Sequence, residues 1–416
     1  MGCQWDIVIG QQSAAVQLDV PGVSPVDAAA ADAPEDLDAP VRPDVPEAGA
    51  PDVPRDARAP ADRFEEPMGS LTGLALGDAF TCATRSDGSA WCWGANDRGQ
   101  LGRGDTNDSP RPARVEGVTE ALAIAAGAEH ACVIRRDSSV WCWGANDRGQ
   151  LGDGTTADRV VPVRVAGLAA DSLSAGGAHT CAALGDATSC WGANDRGQLG
   201  DGATADRALP ARVPGARRGV RCGRSYTCAN TADGIDCWGA NDLGQLGDGL
   251  AASRSTPAPV VGAAGFALLA VGPNHACARG PGEAVRCWGD GARGARGDGS
   301  TETLREATAT ERWAGAIKMT AGDGFTCASS GFSDVRCAGR NDRGQVGDDS
   351  LTDRDAPVSL LRLTFARADF SSLIAGRAHA CTALTDGTLW CWGDNRRGQL
   401  GADYGDPLPG PERIWR

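Results

Sequence analysis

The stretch Trp93-Gly94-Ala95-Asn96-Asp97-Arg98-Gly99-Gln100-Leu101-Gly102 recurs unchanged at Trp143–Gly152 and Trp191–Gly200. Leu243 replaces the arginine in a fourth copy, Trp238–Gly247, and weaker copies begin at Trp288, Ala338 and Trp392. The steps between copies are 50, 48, 47, 50, 50 and 54 residues. A period near 50 is that of propeller blades, each a four-stranded sheet too small to bury its own faces. Seven units fill the chain from Leu71 onward. The expectation is an all-β protein, a seven-bladed β-propeller with a disordered N-terminal tether.

Within each unit four positions are always glycine, exemplified by Gly77, Gly94, Gly99 and Gly102. Such strictness calls for positive φ or for close backbone approach. The apolar segments between them, such as Ala121 to Ala126, have strand length. A strand reading Pro-x-Arg-Val, as at Pro112–Val115 and Pro162–Val165, follows each long loop. No such strand precedes the first unit, and a copy appears at Pro411–Ile414. On this reading the propeller spans 67–416 and is closed by a C-terminal strand, 411–414, that pairs into the sheet begun by Leu71–Gly77.

Charge separates the remaining part. The chain carries −14 overall, and residues 1–70 hold 14 acids against 4 bases. Residues 1–66 form an acidic Pro/Ala/Asp-rich segment that buries too little apolar surface to offset its ordering entropy. The acidic balance excludes nucleic acid as a partner, and no apolar run is long enough to span a membrane.

The pattern Ala175-Gly-Gly-Ala-His-Thr-Cys-Ala-Ala-Leu184, followed by Cys190-Trp-Gly-Ala-Asn-Asp-Arg-Gly-Gln-Leu-Gly200, resembles the regulator-of-chromosome-condensation repeat. The resemblance covers all seven units and implies a seven-bladed propeller. The fifth unit departs from it with Gly-Ala-Arg-Gly at 294–297, and the sixth has Ala338 in place of Trp. The fold hosts nucleotide exchange factors, enzyme inhibitors and adhesive surface proteins alike, so family membership alone does not choose among them.

Fourteen of the 16 cysteines fall as one pair per unit. The pairs are Cys82 with Cys92, Cys132 with Cys142, Cys181 with Cys190, Cys228 with Cys237, Cys277 with Cys287, Cys327 with Cys337 and Cys381 with Cys391. Separations of 10 or 9 place each pair face to face across a three- or two-residue hairpin loop. Opposed residues at a non-hydrogen-bonded register sit close enough for a disulfide. Seven structural disulfides imply an oxidising compartment. The alternative is small buried thiols in a reduced protein. A zinc site needs four converging ligands, whereas each pair stands alone in its unit, so no metal is expected. Cys222 fills a slot that is Leu, Ala or Val elsewhere and reads as a free buried thiol. Gly2-Cys3 ahead of an acidic tether resembles a lipoprotein start, although no basic and apolar signal precedes it. Cys3 is therefore either a lipidation site or an unpaired thiol.

His130, His179, His275 and His379 occupy one slot, which holds Phe80, Tyr226 and Phe325 in the other units. A slot that accepts all three residue types calls for a flat ring and not a general base. Lys318, Tyr226, Trp313 and Tyr404 break the repeat but form no recognisable constellation. No catalytic, metal or cofactor-binding residue is assigned. The expected function is a non-catalytic, monomeric binding module, secreted or displayed at the cell surface or in the periplasm. Variable loops such as 104–111, 154–159, 202–207 and 300–305 would hold a protein or glycan partner. The alternatives are a cytoplasmic exchange factor for a small GTPase and a propeller-face hydrolase or lyase.

Overall fold

The computed structural model describes residues 70–215, 217–330, 334–360, 363, 370–403 and 405–415. The acidic segment 1–66, with Cys3, lies outside the described residues, as does Tyr404. From Leu71 the chain folds into seven four-stranded antiparallel sheets. All seven have their strands in simple chain order, the first six being β1–β4 (Leu71–Arg114), β5–β8 (Ala121–Ala169), β9–β12 (Ser172–Arg212), β13–β16 (Arg218–Pro259), β17–β20 (Ala267–Thr310) and β21–β24 (Lys318–Ser359). The seventh is β25–β28 (Phe370–Trp415). The first strands of successive sheets contact one another in an unbroken cycle, β1 to β5 and onward to β25 and back to β1. They therefore line the axis of a seven-bladed β-propeller.

The repeated motif makes the seams between blades. Leu199 and Val213 pack with Trp238 and Val220 of the next blade, and Leu246 and Val260 pack with Trp288. Trp143, Trp191, Trp238, Trp288 and Trp392 each donate the indole N–H backward across the seam, as Trp143 does to the Gln100 carbonyl at 2.9 Å and Trp191 to that of Gln150 at 2.9 Å. The last glycine of the motif leaves room for that indole. A Cβ on Gly102 would lie 2.9 Å from Trp143 Nε1, and one on Gly200 2.5 Å from Trp238 Nε1. The first glycine has a different reason. Gly77 lacks a left-handed φ, but a Cβ there would lie 2.0 Å from the Phe80 ring.

The departures in the fifth and sixth units are one linked exchange. Ala338 leaves the tryptophan slot empty, and Trp313, on a 3-10 turn at Glu311–Trp313, fills it from the side. Its indole donates to the Arg296 carbonyl at 2.6 Å and lies over Gly297. In most blades the motif asparagine binds the long loop, as Asn146 does to Asp153 at 3.2 Å and to the Ala157 carbonyl at 3.0 Å. Gly291 replaces that asparagine in blade five. Arg296, fully buried where leucine is usual, takes over both equivalent acceptors, Asp298 at 2.9 Å and the Glu302 carbonyl. Trp313→Ala should therefore cost about 3–5 kcal/mol through cavity formation. Ala338→Trp alone should overpack the seam by about 1–3 kcal/mol. The double variant should melt above either single one, a sign-reversing coupling that thermal denaturation will read.

One expectation is corrected. Residues 411–414 belong to β28 (Leu408–Trp415), which pairs with β27 (Leu389–Gly393), so they complete the seventh sheet and not the first. Each Pro-rich strand is the outer edge of the blade it follows. The ring closes through side chains and main chain at the seam of blades seven and one, as at every other seam. Ile414 still packs into the core shared with blade one and touches the space over Gly401. Deleting residues 408–416 strips the outer strand from β27 and empties that packing. The truncated chain should lose several degrees of melting temperature and aggregate through the bared edge, whereas deleting residues 1–60 should leave the melting temperature unchanged.

Candidate functional site

The sequence-assigned cysteines meet as expected, one disulfide to a blade. Cys82 bonds to Cys92, Cys132 to Cys142, Cys181 to Cys190 and Cys228 to Cys237. Cys277 bonds to Cys287, Cys327 to Cys337 and Cys381 to Cys391. The Cα–Cα distance is 4.1 Å in every pair, for separations of 9 and 10 alike. The register explains this: Arg85 N–H donates to Ser89 O at 3.0 Å beside the turn, so Cys82 and Cys92 fall at a non-hydrogen-bonded position three steps on. The same direct opposition holds for Cys142 across from Cys132, Cys237 from Cys228, Cys287 from Cys277 and Cys337 from Cys327. Cys222 is a free buried thiol whose backbone N–H donates to Ser174 Oγ at 2.9 Å. Burial pushes its pKa up to about 12, which makes it unreactive. Among the described residues, His179, Cys181 and Cys222 bring possible ligand atoms within 4.8 Å of one another. The sulfur of Cys181 is spent in a disulfide and His179 Nε2 is held by Thr227, so this group does not fit a metal.

The histidine slot does more than stack a ring. His130, His179, His275 and His379 each place Nε2 against a threonine of the following blade: Thr180 at 2.8 Å, Thr227 at 3.0 Å, Thr326 at 2.7 Å and Thr81 at 3.1 Å. Where the slot is Phe80, Tyr226 or Phe325, the following blade has Ala131, Ala276 or Ala380 instead. Each threonine spends its proton on a backbone carbonyl, as Thr180 does on Gln150 O at 2.9 Å. Its oxygen must then accept from the imidazole, which fixes the Nε2–H tautomer. Burial lowers all four histidines, to about 4 for His130 and His379 and about 3 for His179 and His275. They are neutral structural donors. A double-mutant cycle of His179→Phe and Thr227→Ala should give a coupling of about 1 kcal/mol, one net hydrogen bond. The same cycle at Phe325 and Ala380 has no bond to remove.

In every blade the turn after the first strand and the long loop after the third lie at one end of the sheet. The amide N–H of Ala95 donates to Ala79 O at 2.8 Å, and Asp290, Arg340 and Asp394 repeat this bond at 2.9, 2.7 and 2.9 Å. The motif arginines on this face do not point into solvent. Arg98 bridges to Asp158 at 2.9 Å and Asp147 at 3.3 Å, Arg148 to Asp206 at 2.9 Å and Asp195 at 3.1 Å, and Arg397 to Asp108 at 2.8 Å and Asp97 at 2.6 Å. They clasp their blades to the next. The loops expected to vary are also held: Arg159 pairs with Asp153 at 2.8 Å, and Arg354 and Arg207 with Asp348 and Asp201 at 2.6 Å. They are similarly built, internally braced projections.

The unique chemistry lies at the axis on the same face. The residue after each first glycine forms a backbone ring: Asp78 N–H to Ala128 O at 3.1 Å, Gly177 to Arg224 O at 3.0 Å, Arg224 to Pro273 O at 3.4 Å, and Asp323 to Arg377 O at 3.0 Å. Pro273 has no N–H to pass on. Four of these seven residues are charged: Asp78, Arg224, Asp323 and Arg377. Beside them, the slot that is buried alanine in blades one to four becomes Asp290, Arg340 and Asp394 in blades five to seven. Arg340 donates to Asp323 at 3.0 Å, while Arg377 lies 3.9 Å from Asp323 and 4.0 Å from Asp78. Asp78 is 20% exposed and Asp323 15%. Burial outweighs the neighbouring arginines and raises both carboxyls, Asp78 to about 8. Sequence reasoning passed over these residues. They were legible as charges in two columns that are otherwise small, but only ring closure brings blades one, four, six and seven to one point. Of the repeat-breaking residues singled out, Trp313 and Tyr226 are seam packing. Lys318 donates to the Ser371 carbonyl at 2.6 Å.

These features define the class: a seven-bladed propeller of glycine-locked, disulfide-braced repeats with one charged axial face. The chain belongs to the RCC1-like domain family, whose model matches residues 44–314, and the RCC1 repeat model matches residues 372–399. A stretch of 47 residues is 40% identical to a Danio rerio protein named as an RCC2 homolog and covers 11% of this chain and 10% of that protein. Among solved structures, Prp20p of Saccharomyces cerevisiae, described with its binding to Gsp1p and histones, superposes with a TM-score of 0.70. It is 20% identical, over 84% of this chain and 86% of that one. Human WBSCR16 gives 0.69 at 20% identity over 79% and 94%. These likenesses establish the fold. Among the described residues no helix is long and apolar enough to cross a membrane.

Proposed function

We propose that this propeller is a non-catalytic protein-binding module working outside the cytoplasm, with its partner held on the face that carries the long loops and the axial charges. The observation that carries this is the asymmetry of the ring. The repeat-breaking charges gather at one end of the axis, and internally braced loops rise around them on the same face. The seven disulfides support an oxidising compartment. An exchange-factor role in the cytoplasm, of the kind the yeast relative's Gsp1p binding suggests, would require all fourteen thiols reduced. Asp323 at the axis is engaged by Arg340 at 3.0 Å, and this favours recognition over hydrolysis.

The test compares the two faces. Thr156→Arg and Thr204→Arg lie on exposed loop tips of the proposed face, and Arg136→Glu lies on a hairpin turn of the other. Cross-linking at the surface of the native host should recover a partner with wild type and Arg136→Glu, and lose it with the loop variants. Equal loss from both faces, or no partner at all, would overturn the reading.

A further inference from the structure

The axial ring has guanidinium capacity that the described protein groups do not use. Arg224 enters from blade four and Arg377 from blade seven, on nearly opposite sides of the ring. Nη1 of Arg224 is buried and has no hydrogen-bond partner among the described residues. Its charge interacts with those of Asp78, Arg377 and Asp323, so it belongs to the same axial cluster. The guanidinium of Arg377 has its acids at 3.9 and 4.0 Å, outside hydrogen-bond range. Asp323, 3.9 Å from Arg377, is committed to Arg340 at 3.0 Å. The other ring positions, Ala128, Gly177 and Pro273, carry no side chain long enough to fill the remaining arc.

We infer that the axial ring of charges is a carboxylate-binding site, in which Arg224 and Arg377 clamp one carboxylate presented by the partner. The inference rests on the binding-module reading and gives that face its specificity. Planar guanidinium groups bind carboxylate through paired N–H donors. A monoanion suits the site better than phosphate, because Asp290 and Asp323 act in the same field and repel a second negative charge. Asp78, raised by burial to about 8, stays neutral near pH 7 and does not oppose the anion. The carboxylate can belong to an acidic side chain or to a chain terminus.

Calorimetric titration of the full chain separates these sources. One probe is N-acetyl-Gly-Asp-Gly amide, whose only carboxylate is a side chain. A second is N-acetyl-triglycine, whose only carboxylate is terminal, and inorganic phosphate is the third. At least one peptide should bind wild type roughly tenfold more tightly than phosphate. Arg224→Gln and Arg377→Gln should each weaken it roughly tenfold at unchanged melting temperature, and Arg224→Lys should restore part of the loss. Arg98→Gln, in the interblade clasp, should not alter it. Binding of neither peptide, or equal binding by wild type and both glutamine variants, would overturn the site. A cross-linked partner retained by both variants would also remove it, while leaving the binding module standing.

Discussion

Reducing the seven disulfides is expected to unfold the propeller. Each bond closes a hairpin of about ten residues, which by the loop-entropy relation stabilises the fold by about 3 kcal/mol. Seven such bonds contribute on the order of 20 kcal/mol, more than the 5–15 kcal/mol by which whole domains are usually stable. The sulfurs belong to residues at most 1% exposed, so reductant gains access only as blades open. Reduction in mild denaturant should therefore be cooperative, and removal of denaturant with thiols blocked should not restore the fold. Circular dichroism and a melting curve on the reduced, alkylated protein test this. A native-like spectrum melting within a few degrees of the oxidised form would show that the blades hold without their braces.

Acid should weaken the fold well above the range where ordinary carboxylates titrate. The four slot histidines have folded pKa values of about 3 to 4, against about 6.5 when unfolded. A depressed histidine stabilises the fold fully above its unfolded pKa, and the unfolded chain gains protons first as pH falls. At pH 5 each histidine has forfeited about 2 kcal/mol, and the four together about 8 kcal/mol. Asp78, raised to about 8, works in the opposite direction, because the folded chain takes up its proton first. The net loss between pH 8 and pH 5 is thus smaller than the histidine sum but still several kcal/mol. Converting the four slots to the chain's own alternative, Phe with Ala in place of the facing threonine, removes the histidine contribution. Asp78 and Asp323 would then dominate, so that the variant gains stability on acidification. Denaturant titrations at pH 8 and pH 5 read both signs. A variant that loses as much as wild type would refute the burial argument.

The repeat made much of this legible. The period gave the blades, the constant glycines marked the close approaches, and cysteine separations of 9 and 10 predicted which residues face one another. The phase of the repeat was not legible. A periodic sequence looks the same whether the Pro-rich strand opens a unit or ends one, and the pairing of β28 with β27 decides it. Trp313 was also hidden, because it serves the slot of Ala338 from outside the register and no column comparison connects them. The His–Thr pairs stood in adjacent columns but join different blades. Their agreement, histidine before threonine and Phe or Tyr before alanine, could have been found by offsetting one column by one unit. The axial charges needed the ring itself, since residues as distant as Asp78 and Arg377 become neighbours only where blade seven meets blade one.

The most direct test is non-reducing peptide mapping of residues 70–416 from the native host, with thiols alkylated at lysis. Seven linked pairs are expected, Cys82 with Cys92 through Cys381 with Cys391, and Cys222 alone should carry the alkyl label once the chain is unfolded. Alkylation of the fourteen paired cysteines together with Cys222 would contradict the braced propeller and its place outside the cytoplasm.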